Sequence, residues 1–418
     1  MLRSMFTAIG ALTLHQSFMD VVADNLANVN TPGYKASRAS FQDQIAQLIQ
    51  TGAAPGTNLG GVNPTQIGLG VRLGSVTSTF TQGSLQSTGR STDLAIQGDG
   101  FFVYTNSGSA GATQFYSRDG SLGLDANGVL VNNSTGMRAM GWTAVTSGST
   151  GGSAAVDTSQ PIAAIQIPVD SAVARATANA TLVGNLDSAA ASGSVGQATT
   201  TLGVYDSLGA LRTVTVTFQH PSSNNWAWTA TTGSPASAIG SGTLTFDTNG
   251  VLTSGSSGTL TLPAGGGSSS TAITLDMSDL TQLATSSSVA ASSQDGLAAG
   301  SLTGINVISS TGQVVGLYSN GLQQVIGQLA LATFVNSSGL SRLGQNLYAQ
   351  GLNSGEARVG TAGAGGRGTL VSGYLEASNV DLAQEFTNMI MAQRGFQASS
   401  RVITASDEML QELVNLKR

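Results

Sequence analysis

Gly363-Ala364-Gly365-Gly366-Arg367-Gly368 has the spacing G-x-G-x-x-G. Between a strand and a helix, that spacing wraps backbone amides around a pyrophosphate. Here it runs into Thr369–Tyr374, which reads as a strand, so a loop is expected. Asp125-Ala126-Asn127-Gly128 and Asp247-Thr248-Asn249-Gly250 faintly resemble calcium loops but lack the third ligand and the closing glutamate. Both are expected to be hairpin turns of the Asn-Gly kind. Asp99, between Gly98 and Gly100, and Asp119, before Gly120, read as turn residues in the same way. The only histidines, His15 and His220, have no carboxylate or hydroxyl that the sequence places beside them, and there is no cysteine. A disulfide is excluded, and neither a zinc site nor a nucleophilic triad is expected. No catalytic residue, cofactor or metal ligand is expected, and the chain reads as a non-enzyme.

The clearer signal lies in the elements at the two ends. Met5, Leu12, Met19 and Leu26 recur every seven residues, with Ile9 and Ala23 in a second row. Leu382, Met389, Phe396, Ile403 and Leu410 repeat the pattern near the C-terminus, with Phe386 beside them. A seven-residue apolar period makes helices supercoil around a partner. These twelve positions are the candidate assembly interface. Arg3 and the apolar stretch Met5–Leu14 imitate a secretory signal, but the rows continue past His15, Gln16 and Asp20 to Leu26 without a small-x-small cleavage site. A retained amphipathic helix is expected. No apolar run reaches the ~18 residues of a membrane span, so no membrane insertion is expected.

Between the ends the chain reads as β-structure. Charged residues are 9% of the 418 and hydrophobic residues 40%, against about 25% charged in a typical soluble domain. Lysine occurs only at Lys35 and Lys417, and the net charge is −6. Neither a phosphate-tracking stripe nor a polybasic patch can be drawn, so nucleic acid is a poor partner.

The first helix should stop near Asn28, before Asn30-Thr31-Pro32-Gly33. Phe41–Ile49 has a short helix-like period, and residues 36–70 read as a linker. Alternating runs with turns between them cover 71–145 and resume over 300–374. Low-complexity stretches, Ser147–Ser153 and Ala264–Ser270, mark a middle block. The expected fold is mainly β with α-helical termini, the helices forming a coiled coil and nested sandwich- or barrel-like β-domains inserted between them. The expected units are 1–35 with 375–418, 71–145 with 300–374, and an inserted outer domain at 146–299.

The ends also carry a signature. Asp24-Asn25-Leu26-Ala27-Asn28 with Asn30-Thr31-Pro32-Gly33-Tyr34-Lys35 resembles the N-terminal motif of the bacterial flagellar rod and hook family. Its matching positions are Asn25, Asn28, Thr31, Gly33, Tyr34 and Lys35. Glu376-Ala377-Ser378-Asn379-Val380-Asp381, leading into Met389–Arg394 and Thr404–Leu413, resembles that family's C-terminal helix. Asp93–Phe102, Tyr116–Gly120 and Asn346-Leu347-Tyr348 are similar to further family segments. The large middle block resembles the hook-type rather than the shorter rod-type members. The resemblance implies self-polymerisation into a curved tube joining rod to filament, a universal joint. It also implies export through the flagellar type III apparatus without signal cleavage, an extracellular place in the hook and basal body, and contacts with rod, hook-cap and hook–filament junction proteins. The alternatives are a distal rod protein of the same family and, from another class, an extracellular β-rich adhesin or hydrolase.

Overall fold

The structure is a computed structural model that describes residues 2–56, 60–107, 111–145, 155–193 and 198–415. Helix α1 spans Leu2–Ala27 and helix α2 spans Leu382–Asn415. They lie antiparallel, since Asn25 bonds Glu385 and His15 sits on Gly395. At the end of α1 the Asn28 side chain folds back onto the Asp24 carbonyl, 2.9 Å away. Asp381 starts α2 by accepting the Ala383 and Gln384 amides at 2.9 and 3.2 Å, which satisfies donors that the helix itself cannot.

Residues 36–70 are not a linker, and Phe41–Ile49 is not helical. Strand 37–43 pairs with 71–78, and strand 46–50 pairs with 65–68, so the segment is one long antiparallel ribbon. A short apolar run cannot separate the two periods locally; its pairing partners lie well along the chain, Leu73 opposite Phe41 and Gln66 opposite Leu48. The ribbon runs along α1, with Phe18 and Phe41 edge to face at 5.5 Å and Arg3 donating to Gln47 at 2.8 Å.

The β-body is shared by segments on both sides of the middle block. Strand 138–145 pairs with 101–105 near its start and with 323–329 further along. The sheet runs on through 313–318 to 302–307, and the other way through 114–117 to 347–349 and 341–344. Phe102 and Tyr104 enter one core with Leu94, Ile96, Leu122 and Leu329, and Phe101 and Val103 enter the opposite one with Tyr116, Trp142 and Tyr348. This is the alternation expected of a strand covered on both faces. Ile165 and Ile167 belong to the first core, so the body extends past residue 146. The inserted unit begins near 173, where strand 173–175 pairs with 297–300 to form a neck. Ser147–Ser153, read as the junction, lies outside the described residues.

The inserted unit is a sandwich. One sheet is the meander 198–205, 211–222, 225–232, 237–246 and 252–254. The other orders 257–262, 271–283, 179–187 and 288–294. Burial alternates along 198–205 and 271–283, and Phe218, Trp226, Leu244, Ile273 and Leu275 meet in one core.

The hairpin turns expected at Asp125 and Asp247 form. The Gly128 amide donates to the Asp125 carbonyl, and the Gly250 amide to that of Asp247, each closing a hairpin. The Val251 amide beside the Asp247 carboxylate, helped by that of Asn249, holds its carboxyl below the usual range. That oxygen is already committed to its own turn. The 363–368 segment is a loop that leads into strand 369–372. Among the described residues no group of three or more His, Asp or Glu is placed to hold a metal, and no helix is long and apolar enough to cross a membrane.

Candidate assembly site

The terminal motif folds into a polar joint where helices and body meet. Asn25 is buried at the end of α1 and uses both ends of its amide. Its Oδ1 accepts the Ser37 amide at 2.8 Å and the Tyr34 hydroxyl at 3.2 Å, while Nδ2 donates to the Ser37 carbonyl and to Glu385 of α2. Thr31 donates to Asn28 at 3.1 Å. Gly33 has φ +71°, and a Cβ there would lie 2.6 Å from the Asp119 amide nitrogen. Glycine is required both by the backbone and by the close approach of the body. The buried Tyr34 ring is covered by the Arg342 guanidinium at 5.2 Å, and burial raises its hydroxyl above the ordinary value.

Lys35 then turns inward. Its Nζ lies 2.6 Å from Glu376 Oε1 and 2.7 Å from the Thr81 carbonyl, and the opposite carboxylate oxygen takes Arg118 Nη1 at 3.3 Å. The Lys35 and Glu376 side chains are 0% exposed and Arg118 is 2% exposed. The Gly83 amide also donates to Glu376 Oε1, and the Gly33 amide to the Glu376 carbonyl. Burial lowers the Lys35 pKa even though Glu376 opposes that shift. One carboxylate thus ties the end of the N-terminal motif, the body and the approach to α2. Asn379 completes the joint: it accepts the Ala36 amide and donates to the Thr79 and Thr81 carbonyls.

The helix pair meets along rows different from those expected to face the partner helix. Ala8, His15 and Val22 of α1, and Glu385, Ala392, Ser399 and Ser406 of α2, are seven apart and wholly or partly buried. A Cβ on Gly395 would overlap the His15 ring. Small residues at the contact let the two axes approach closely. The side chains of the expected rows are turned partly or wholly aside. Met5, Leu12, Met19 and Leu26 are half-buried, whereas Ile9 and Ala23 are exposed, about 100° round α1 from the buried row. On α2, Met389, Phe396, Ile403 and Leu410 border the contact, while Leu382 and Phe386 are exposed, as are Ile390, Met391, Val402 and Met409. The heptad period was legible, but the phase of its intrachain face includes Ala8, Gly395, Ser399 and Ser406, which carry little hydropathy signal. His220 takes no part: it is buried in the inserted unit, stacked on Trp226 at 4.7 Å.

The site's pieces coincide with family matches. Residues 5–35 match the flagella basal body rod protein family, and 371–416 match the flagellar basal body rod FlgEFG protein C-terminal. Residues 95–181 match the flagellar hook protein FlgE/F/G D1 domain, and 178–297 the flagellar basal body protein FlaE D2 domain. The flagellar hook protein FlgE of Treponema pallidum is 37% identical over 471 residues, with 100% of both chains covered. That of Salmonella typhimurium is 36% identical over 425 residues, covering 98% of this chain and 99% of the relative. The chain belongs to the flagellar hook protein family. A flagellar basal-body rod protein FlgG of Bacillus subtilis is similar at 31% identity, with 100% of both chains covered. The crystal structure of Helicobacter pylori flagellar hook protein FlgE2 aligns at TM-score 0.48 and 15% identity, over 70% of this chain and 100% of that one. In this hook-family chain Lys35, Arg118 and Glu376 come from three separate matched segments. The joint is where those segments are assembled into one molecule.

Proposed function

We propose that this structural subunit of the flagellar hook polymerises through its paired terminal helices into a curved, flexible tube that transmits torque from rod to filament. The observation that carries the reading is the apolar surface left open on the helices and ribbon. Leu382, Phe386, Ile390 and Met391 on α2, and Ile45, Ile49 and Ile67 on the ribbon, are all exposed. An exposed apolar stripe such as Leu382, Phe386 and Ile390, four residues apart on one helix face, marks an interaction site, and helices draw most of their stability from packing. Each such side chain buried against a neighbour contributes on the order of 1.5–3 kcal/mol. The inner wall is then formed by α1 and α2, with the β-units outside. Ser-, Thr- and Gly-rich outer faces would make exchangeable hydrogen bonds, as suits contacts that re-form while the tube bends. The same reading includes export through the flagellar type III apparatus without signal cleavage, and contacts with rod, cap and junction proteins.

Negative-stain imaging under polymerising conditions tests this, with tubes expected. A second preparation isolates the inserted unit. Val173 and Gly300 pair across the neck, so the unit can be excised there and closed with a short loop at little entropic cost. The shortened protein is expected to form straighter, less stable tubes. Wild-type curvature would show that curvature is set elsewhere; failure to assemble would make the insertion part of the wall.

A further inference from the structure

The neck is held from both sides by turns. On the body side, the turn between strands 313–318 and 323–329 brings up Asn320. Its Nδ2 donates to the Val173 carbonyl at 3.0 Å and to the Ala298 carbonyl at 2.7 Å, one from each neck strand. Its Oδ1 accepts the Leu322 amide at 3.0 Å. These partners fix which amide end is which, because two carbonyls need donors and one N–H needs an acceptor. Ser319 adds a second pair of bonds: its amide donates to the Ser301 carbonyl at 2.9 Å, and its Oγ accepts the Ser301 amide at 3.1 Å. A Cβ on Gly300 would lie 2.6 Å from Asn320 Cγ, so the neck strand must be glycine where the amide presses on it. On the other side lies the turn at 206–210 of the inserted unit. Gly209, at φ +80°, is so close that a Cβ would lie 2.6 Å from the Ala299 amide nitrogen and 2.8 Å from Ala174 Cβ.

We propose that Asn320 is the positioning residue that sets the angle of the inserted unit on the body, by bridging both neck strands with one side-chain amide. A two-stranded neck alone is free to twist and splay, because its other faces have no sheet neighbour. The amide removes that freedom by holding both strands to one body turn. The Gly209 turn then keeps the unit itself against the neck. The inference concerns a single subunit and does not depend on assembly.

Asn320→Asp separates positioning from folding. The carboxylate is isosteric and still accepts the Leu322 amide, so the turn is kept, but it offers the two neck carbonyls oxygen instead of N–H. The cysteine-free chain permits spin labels at cysteines replacing exposed Ser223, in the inserted unit, and Ser341, in the body. Pulsed dipolar spectroscopy on the monomer then reads the distance between units. The parent is expected to give one narrow distance distribution. Asn320→Asp is expected to broaden and shift it, with the unfolding transitions of both units unchanged. Should that variant lower either transition, Asn320→Ala, which introduces no charge, is read in its place. An unchanged distribution in the variant so read, or a parent distribution already broad, overturns the proposal.

Discussion

Replacing Glu376 by alanine is expected to destabilise the joint between terminal helices and body by about 3–5 kcal/mol, because it leaves two cations buried without their counter-charge. Lys35 and Arg118 both bond that carboxylate, and neither side chain is more than 2% exposed. Denaturant unfolding of the monomer should show the loss, with the sandwich core of the inserted unit unaffected. The pH dependence gives a sharper check. Burial lowers the Lys35 pKa, and Glu376 is what raises it back. In the alanine variant the unfolded chain therefore binds more protons than the folded one over a wider range below the unfolded lysine value. Stability rises with pH across that range. The deficit relative to the parent should shrink as the pH is raised from 7 towards 10. A deficit under about 1 kcal/mol, the size of an exposed ion pair, would contradict the structural role given to the joint.

Ile403→Asp is expected to abolish assembly while leaving the β-units folded. Ile403 lies in the half-buried row of Met389, Phe396 and Leu410 that borders the helix contact. A carboxylate there would be unpaired, and its desolvation costs several kcal/mol each time a subunit packs. Repeated over every subunit, that penalty outweighs the apolar gain at the same position. Circular dichroism in the strand region and the unfolding of the inserted unit should match the parent. Normal tubes from this protein would refute the place given to the C-terminal row.

The terminal helices were legible because their apolar period continues over several turns and, for the first, stops at a clear signal, Asn30-Thr31-Pro32-Gly33. The hairpins at Asp125 and Asp247 were legible because the turn chemistry is local: one carboxylate, two amides and a glycine. The ribbon at 37–78 was not, since the strand character of Phe41–Ile49 depends on partners such as Leu73 and Ile67 that lie further along the chain. The neck was missed for the same reason. Low-complexity residues suggested a boundary at 146, whereas Ile165 and Ile167 still pack into the body. The joint left one readable trace: in a chain so poor in lysine, Lys35 in an otherwise uncharged turn implies a counter-charge elsewhere. That it is Glu376, with Arg118 as a third member, follows only from tertiary packing.

The central claim is that subunits join through the apolar surfaces of their terminal helices. A helical reconstruction of the polymer at side-chain detail tests it most directly. The account predicts α1 and α2 lining the tube's inner wall, with Leu382, Phe386 and Ile390 covered by helices of neighbouring subunits. A tube in which those side chains stay exposed to solvent, and subunits meet only through the β-units, would contradict it.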